Sequence, residues 1–381
     1  MKTLATWKMG ALAVGLLAAS LAHGATYHVV SVSTTDLGTL GGTEAVALDI
    51  NNHGQIVGYS KNPAMRRRAF LWQSGVMTDL GTITASNSAH ASGINDVGEV
   101  VGAYGDPDEF NWQAFYWSPG LGVVTLNRSL YPALSFNSAY VANAEAINSQ
   151  GEIAGVVESR GASSVIPDLP CYRSLPVRWS TAFAPPQILH CPETHSGQAN
   201  DINNLGWTVG TESATTFGPN RAFLWKAGVT THLLAPFFGG IEPRANGINE
   251  AGTVVGSARS FAGGVRATIW DGASVLSTWI GVLLGGNSSA AYEVNDQNFV
   301  AGISDMTVNF GIGPPINKDR AFLWHRDFGL FALPVPAGMP ALTTWCSAAS
   351  LNNRVALTGL IEVVGRCGSR AIRWRVRVGI H

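Results

Sequence analysis

The chain has 381 residues, a formal net charge of −1, 46% hydrophobic and 13% charged residues, 44 glycines and 12 tryptophans. That much apolar content with so little charge excludes intrinsic disorder and leaves no polybasic or polyacidic tail. The near-neutral balance also lacks the basic footprint of a nucleic-acid binder, so nucleic acid is not expected among its partners.

Residues 1–25 read as a signal peptide. Lys2 and Lys8 form a positive n-region, Ala11 to Leu21 an apolar h-region, and Ala22, Gly24 and Ala25 offer cleavage points. Spanning a bilayer takes about 20 apolar residues. This run is shorter and no second long one follows, so stable membrane insertion is not expected. The expected product is secreted, extracellular or periplasmic, with residues 26–381 forming a single domain expected to be monomeric.

The rest of the chain is one unit repeated seven times. The pattern Ala-x-x-(Ile/Val/Leu)-Asn places asparagines at Asn51, Asn95, Asn148, Asn203, Asn249, Asn295 and Asn352. Seven residues after each stands a glycine: Gly58, Gly102, Gly155, Gly210, Gly256, Gly302 and Gly359. Each copy then reaches a tryptophan: Trp72, Trp117, Trp179, Trp225, Trp270, Trp324 and Trp374. Within a copy, four runs of branched and aromatic residues are separated by Gly, Asn, Ser and Pro. In the first they are Ala47–Asn51, Gln55–Tyr59, Arg68–Trp72 and Val76–Leu80. The Asn-x-x-Gly link between the first two runs predicts a tight turn, in which Asn bonds the backbone two residues on and Gly takes positive φ. Five copies carry that Gly (Gly54, Gly98, Gly151, Gly206, Gly252), and Asn298 and Val355 replace it in the last two. Asn tolerates left-handed backbone and Val does not, which predicts a different turn in the seventh copy.

Four antiparallel strands every 44 to 57 residues match the size of a propeller blade. One such sheet is apolar on both faces, and stacking sheets about an axis buries them. The expected fold is all-β, a seven-bladed β-propeller of four-stranded antiparallel blades. The stretch Asp36-Leu37-Gly38-Thr39 repeats Asp79-Leu80-Gly81-Thr82, a fourth-strand segment, while the chain ends at His381 soon after Trp374. The N-terminal strand, roughly Tyr27–Leu37, is therefore expected to complete the last blade and close the ring. Arg373–Val378 competes for that place.

These motifs resemble the HAF-repeat family of extracellular repeat proteins. The resemblance lies in the Arg-Ala-Phe-Leu-Trp runs at Arg68–Trp72, Arg221–Trp225 and Arg320–Trp324, and in Asp-Leu-Gly-Thr-Leu-Gly-Gly at Asp36–Gly42. The second and third copies depart from it, with Gln113–Trp117 and Leu175–Trp179. The resemblance implies an exported repeat protein and supplies no reaction or catalytic residue.

Cys171, Cys191, Cys346 and Cys367 form an even set, which in an exported chain favours disulfides over metal ligation or a catalytic thiol. Of three possible pairings, Cys171–Cys191 and Cys346–Cys367 each stay within one repeat, joining a strand-two-to-three loop to a strand-four-to-one loop. The recurring Trp is expected in the inter-blade core rather than as a sugar platform. Arg stands four residues before it in five copies (Arg68, Arg221, Arg266, Arg320, Arg370) and is expected to touch an aromatic ring or bond the next blade. The Asn turns lack the acids of a calcium loop. His190, Cys191, Glu193 and His195 form a compact group, but a disulfide claims Cys191, so no metal and no cofactor is expected. Asp106, Asp108 and Glu109, and likewise Lys61, Arg66 and Arg67, read as solvated clusters.

The sequence holds no Gly-x-Ser-x-Gly elbow, His-Glu-x-x-His helix or P-loop. Links between strands one and two, and mostly those between three and four, are short, whereas the links at the other end are long. Those include Asn127–Asn143, Thr181–Gln198 and Pro334–Ser347, with insertions near Glu158–Ser174 and Ser304–Lys318. Long loops on a rigid scaffold are where binding resides. Phe110, Trp112, Tyr131, Tyr140, Tyr172 and Trp345 are the candidate ligand contacts there, and no catalytic residue is nominated. The expected function is non-enzymatic binding of an extracellular glycan, surface polymer or protein. The alternatives are a propeller hydrolase or lyase acting on extracellular polysaccharide, and structural service in a surface matrix. The enzyme requires titratable side chains converging near the axis, whereas the binder predicts a pocket of aromatics and amides without close titratable pairs.

Overall fold

A computed structural model describes residues 26–81, 88–106, 111–126, 139–159, 174–190, 196–213, 219–236, 240–261, 263–272, 274–308, 316–341, 344–354 and 359–380. The signal-peptide segment, Cys171 and Cys191 lie outside these residues. The regular structure described is entirely β, in 28 strands, and no helix among these residues is long and apolar enough to cross a membrane.

The first repeat forms an antiparallel meander of Ala45–Ile50, Ile56–Lys61, Arg67–Gln73 and Val76–Asp79. The second, fifth and sixth repeats do the same. The last sheet runs Tyr27–Asp36, Arg370–Ile380, Leu360–Cys367, Cys346–Leu351 in space. The N-terminal strand thus lies beside the C-terminal one, antiparallel, from Tyr27 opposite Ile380 to Asp36 opposite Ile372. Arg370–Ile380 is the third strand of that sheet, so it does not occupy the fourth position. Asp36 takes the place that Asp79 has in the first repeat. Each accepts an ion pair from the arginine that begins its neighbour's motif, Arg370 at 2.7 Å and Arg68 at 2.9 Å.

Two expectations need correction. The third and fourth repeats are not separate four-stranded sheets but share one eight-stranded sheet, joined by a single parallel pairing of Ser174 with Ser196. The outer strand of the third repeat is only Gln187–Ile188, which leaves the Ser174 end of its neighbour open to that pairing. The described ends of the Ser304–Lys318 insertion are also strand, because Val300–Val308 and Ile316–His325 pair from Val300 with Trp324 to Val308 with Ile316.

The repeated glycine has a steric cause. The first strand of every repeat carries a bulge, seen as a register shift such as Ala47 to Asp49 or Ala245 to Gly247. A bulge kinks its strand, and here it drives a carbonyl onto the partner. A Cβ on the facing glycine would lie 1.9–2.2 Å from that oxygen in all seven repeats, as with Val46 above Gly58 and Arg244 above Gly256. In the seventh repeat this glycine is Gly365, opposite Ala348, rather than Gly359. The hairpin there is longer: Asn352 N–H donates to the carbonyl of Glu362, whereas Asn51 N–H donates to that of Gln55. The other six turns keep Asn as first residue, with positive φ at Gly54, Gly98, Gly151, Gly206 and Gly252, and at Asn298 with φ 62°.

Seven clusters of buried apolar residues fill the seams, each drawing on two successive repeats. One holds Val57 and Ala69 with Ala91 and Phe115, and another Val255 and Ala267 with Ala291 and Phe322. The seventh joins Ala47, Phe70 and Trp72 of the first repeat to Val364 and Ala371 of the last. All seven repeat tryptophans lie in or against these clusters, as core packing requires.

The repeat asparagines add a polar belt, each at most 4% exposed. Asn249 is typical: its Oδ1 accepts from Thr253 N–H (2.8 Å), and its Nδ2 donates to the carbonyl of Asn295 in the next sheet (3.0 Å). Asn51, Asn95, Asn148, Asn203 and Asn295 reach the following repeat in the same way. Between last and first repeats, Asn353 N–H donates to Asn52 Oδ1 and Ser350 Oγ to Asp49 Oδ1, both at 2.7 Å. Turn chemistry explains half of each of these six asparagines and the bridge to the next repeat the rest, whereas Asn352 Nδ2 donates to Glu362 in its own repeat.

Candidate functional site

The belt sets the first strands of successive repeats side by side. Two cavities open along these strands toward the long-link end. One, of about 420 Å³, is lined by Val46, Leu48, Tyr59, Tyr292, Ser347 and Arg366, among others. The second, of about 240 Å³, is polar, with Gln198, Asn200, Thr211, Glu212, Arg244 and Asn246 in its wall. Tyr292 is 36% exposed although it occupies a bulge position, where the extra residue is released from strand pairing.

Arg366 connects the first cavity to a predicted contact, its guanidinium lying 4.1 Å from the Trp345 ring. Arg67 lies 4.7 Å from the Tyr59 ring, and the Tyr59 hydroxyl donates to Glu44. Burial pushes the Tyr59 phenol up, and a hydrogen bond from Lys61 holds the Glu44 carboxyl down. Lys61 and Arg67 are thus engaged with neighbours, beyond the solvated role expected of them. Trp112, the other predicted contact that can be placed, packs against His90 at 5.4 Å. Burial, with Arg67 nearby, pushes His90 down to about 4, so the imidazole is neutral at pH 7. Phe110, Tyr131 and Tyr172 lie outside the described residues. Tyr140 is in the strand Ala139–Ile147, and its side chain is likewise outside them. The structure therefore brings Trp345 to the cavity edge through Arg366, while Tyr59, Tyr292 and Arg366 themselves escaped sequence reasoning.

A second feature absent from the sequence expectations lies deeper. Asp49, Asp201 and Glu293 stand two residues before the repeat asparagine in copies one, four and six, where the other copies have Gly, Ala or Ser. Burial raises Asp201 to about 7 and Glu293 well above the usual carboxylate range, and each feels the charge of Asp49. Asp49 and Glu145 are raised by burial too. Each keeps some accessible surface. Their bonds define a structural role. Asp49 Oδ1 accepts from Ile50 N–H and Ser350 Oγ, and its Oδ2 accepts from Ile94 N–H of the next repeat. Asp201 links Ile202 and Ile248 in the same way. Glu293 accepts from Val294 N–H through Oε1.

Of the group predicted around His190, Cys191, Glu193 and His195 lie outside the described residues. His190 contacts Glu212, which also accepts from His232 Nε2 at 2.8 Å. Burial works to raise Glu212, but the hydrogen bonds and charge of His190 and His232 outweigh it and hold the carboxyl below its usual range. The Cys346–Cys367 disulfide is present. It joins residues directly opposite in the neighbouring strands Cys346–Leu351 and Leu360–Cys367, and so pins a strand pair rather than two loops. Of the recurrent arginines, Arg320 donates to the carbonyls of Ala341 and Thr344, in the link to the next repeat.

No family model and no curated protein matches the chain. Solved structures do. The β-propeller domain of the trilobed protease from Pyrococcus furiosus, described as having an open velcro topology, is 10% identical. It covers 87% of this chain and 94% of its own, with a TM-score of 0.47. A puromycin-hydrolyzing peptidase of Mycobacterium tuberculosis is 10% identical over 87% of this chain and 52% of its own, with a TM-score of 0.50. An oligogalacturonate lyase in complex with manganese is 9% identical over 93% and 96%, with a TM-score of 0.49. The fold is propeller-like. At such identities the likeness extends to fold alone, and the HAF-repeat resemblance rests on the motifs themselves.

Proposed function

We propose that the chain is an exported, single-domain propeller of the HAF-repeat kind that binds an extracellular glycan without transforming it. Seven blades, with the N-terminal strand completing the last, account for the seven seams, the asparagine belt and the bonds between last and first repeats. A disulfide suits an oxidising compartment. The observation that carries the binding proposal is a pair of cavities along the first strands, one aromatic and cationic and the other amide-rich. Tyr59, Tyr292 and Arg366 offer aromatic faces and a cation, and Gln198, Asn200 and Asn246 offer amides. Pockets built this way bind through ring stacking and a few fixed polar groups. Arg366 and Arg244 favour glycans that carry carboxylates.

Binding of soluble polysaccharides, acidic and neutral, to the mature chain tests this. Tyr292→Ala and Arg366→Ala are each expected to weaken binding at least tenfold with the circular dichroism spectrum unchanged. Full binding by both folded variants would rule out this face, and capture of a protein but no glycan would replace the ligand class.

A second function has its own observation in its favour. Asp201 and Glu293 are the converging titratable groups that a polysaccharide hydrolase or lyase requires. Against it, both Asp201 oxygens are occupied by backbone N–H groups. Release of new reducing ends or unsaturated products by the wild type, abolished in Glu293→Gln, would establish the enzyme.

A further inference from the structure

We infer that His190, Glu212 and His232 form a binding site for one divalent transition-metal cation, zinc by the donor set, which clips the outer edge of the third repeat to the fourth. Two imidazole nitrogens and one carboxylate are a recurrent zinc set that leaves a fourth position open. The three ligand atoms lie within 4.8 Å of one another, a unique arrangement for His, Cys, Asp and Glu among the described residues. Zinc bonds of about 2.0–2.2 Å separate tetrahedral donors by about 3.4 Å. Small rotations of the two rings therefore bring all three donors onto one ion.

The ligands are held by different parts of the fold. His190 lies two residues beyond the two-residue strand Gln187–Ile188, and Glu212 and His232 belong to Thr208–Ser213 and Val229–Leu233 of the fourth repeat. The His190 ring packs edge-on to Phe223, with centroids 4.8 Å apart, which fixes its plane. The Glu212 side chain is 4% exposed and that of His232 is 47%, so the cation would be backed by protein and open to water on one side. The place also makes mechanical sense. Elsewhere the outer strands have four residues or more, but here two Cα pairs, Val177 with Ile188 and Arg178 with Gln187, hold the edge. Leu189 N–H adds one bond to the Pro176 carbonyl (3.0 Å), and a cation on His190, the next residue, would extend the hold on this short edge.

Two neutral imidazoles donating to one carboxylate would look alike without metal, and added metal separates the cases. Untagged, disulfide-intact protein freed of metal by chelator should take up one equivalent of Zn²⁺ in calorimetry. Co²⁺ should give the visible absorption of a tetrahedral site, and Zn²⁺ should raise the unfolding temperature. His232→Ala, at a half-exposed position, and Glu212→Gln should each weaken Zn²⁺ binding at least tenfold and abolish the thermal shift. Failure of the wild type to bind Zn²⁺ or Co²⁺ stoichiometrically, or undiminished binding by folded His232→Ala, overturns the inference.

Discussion

The asparagine belt makes a quantitative claim that Asn249 isolates well. Asn249→Ala removes three hydrogen bonds: the acceptor for Thr253 N–H at 2.8 Å, and donors to the Asn295 carbonyl and Asn298 Oδ1, both at 3.0 Å. At about 1 kcal/mol for each bond, plus the added cost of leaving the buried Thr253 N–H unpaired, the loss comes to about 4 kcal/mol. Against a typical stability of about 5–15 kcal/mol, that is a large fraction. Asn249→Asp separates turn from bridge. It keeps the acceptor for Thr253 but points an anionic oxygen at two other acceptors. Its cost at pH 8 should therefore match or exceed that of Asn249→Ala. The native state raises the pKa of the introduced carboxyl. Its penalty therefore shrinks as pH falls and the protonated group donates where Nδ2 did. Urea unfolding followed by tryptophan fluorescence, with disulfides intact, measures both variants at pH 4.5 and 8. A cost below about 1 kcal/mol for Asn249→Ala would refute the bridging role. A pH-independent deficit for Asn249→Asp would refute the donor assignment.

Four further outcomes follow from the same structure. Gly210→Ala places a Cβ 2.1 Å from the Gln198 carbonyl and 2.6 Å from Phe223, and should cost about 3 kcal/mol in urea unfolding. Gly120→Ala, with nothing within 4 Å, should stay within about 0.5 kcal/mol of wild type. Glu293→Gln removes a carboxyl whose native pKa is raised by burial and by the charges of Asp201 and Asp49. A raised group contributes stability below its unfolded pKa that is lost as pH rises through its folded pKa. Urea midpoints of wild type and Glu293→Gln should therefore agree near pH 4, with the variant more stable at pH 8.5; a less stable variant there contradicts the burial argument. Replacing Cys346 and Cys367 together by alanine frees a loop with a sequence separation of 21 and should cost about 3 kcal/mol by equilibrium unfolding.

Much of the fold could be read from the chain because its chemistry is local and repeated. The Asn turn, the positive φ at Gly54 and Asn298, the alternating strands and the tryptophan of each seam depend on neighbours a few residues away. Seven copies make such signals hard to mistake. Even the N-terminal strand was legible, since Asp36-Leu37-Gly38 copies Asp79-Leu80-Gly81. Counting along the chain failed where register matters. Gly365 rather than Gly359 meets the bulge, because sterics follow the strand partner and the last hairpin is longer.

The site belongs to the tertiary structure almost entirely. Tyr59, Tyr292 and Arg366 come from the first, sixth and seventh repeats, and Asp49, Asp201 and Glu293 from the first, fourth and sixth. His190 meets Glu212 and His232 across a seam between repeats. Only the packing of successive repeats brings such distant residues together. The one local trace was an acid, in three of seven copies, at the residue after the bulge, where the others carry Gly, Ala or Ser. Sequence sets the form of each repeat through short-range turn and strand chemistry. What the repeats jointly enclose depends on the register and curvature of their packing, which no single repeat encodes.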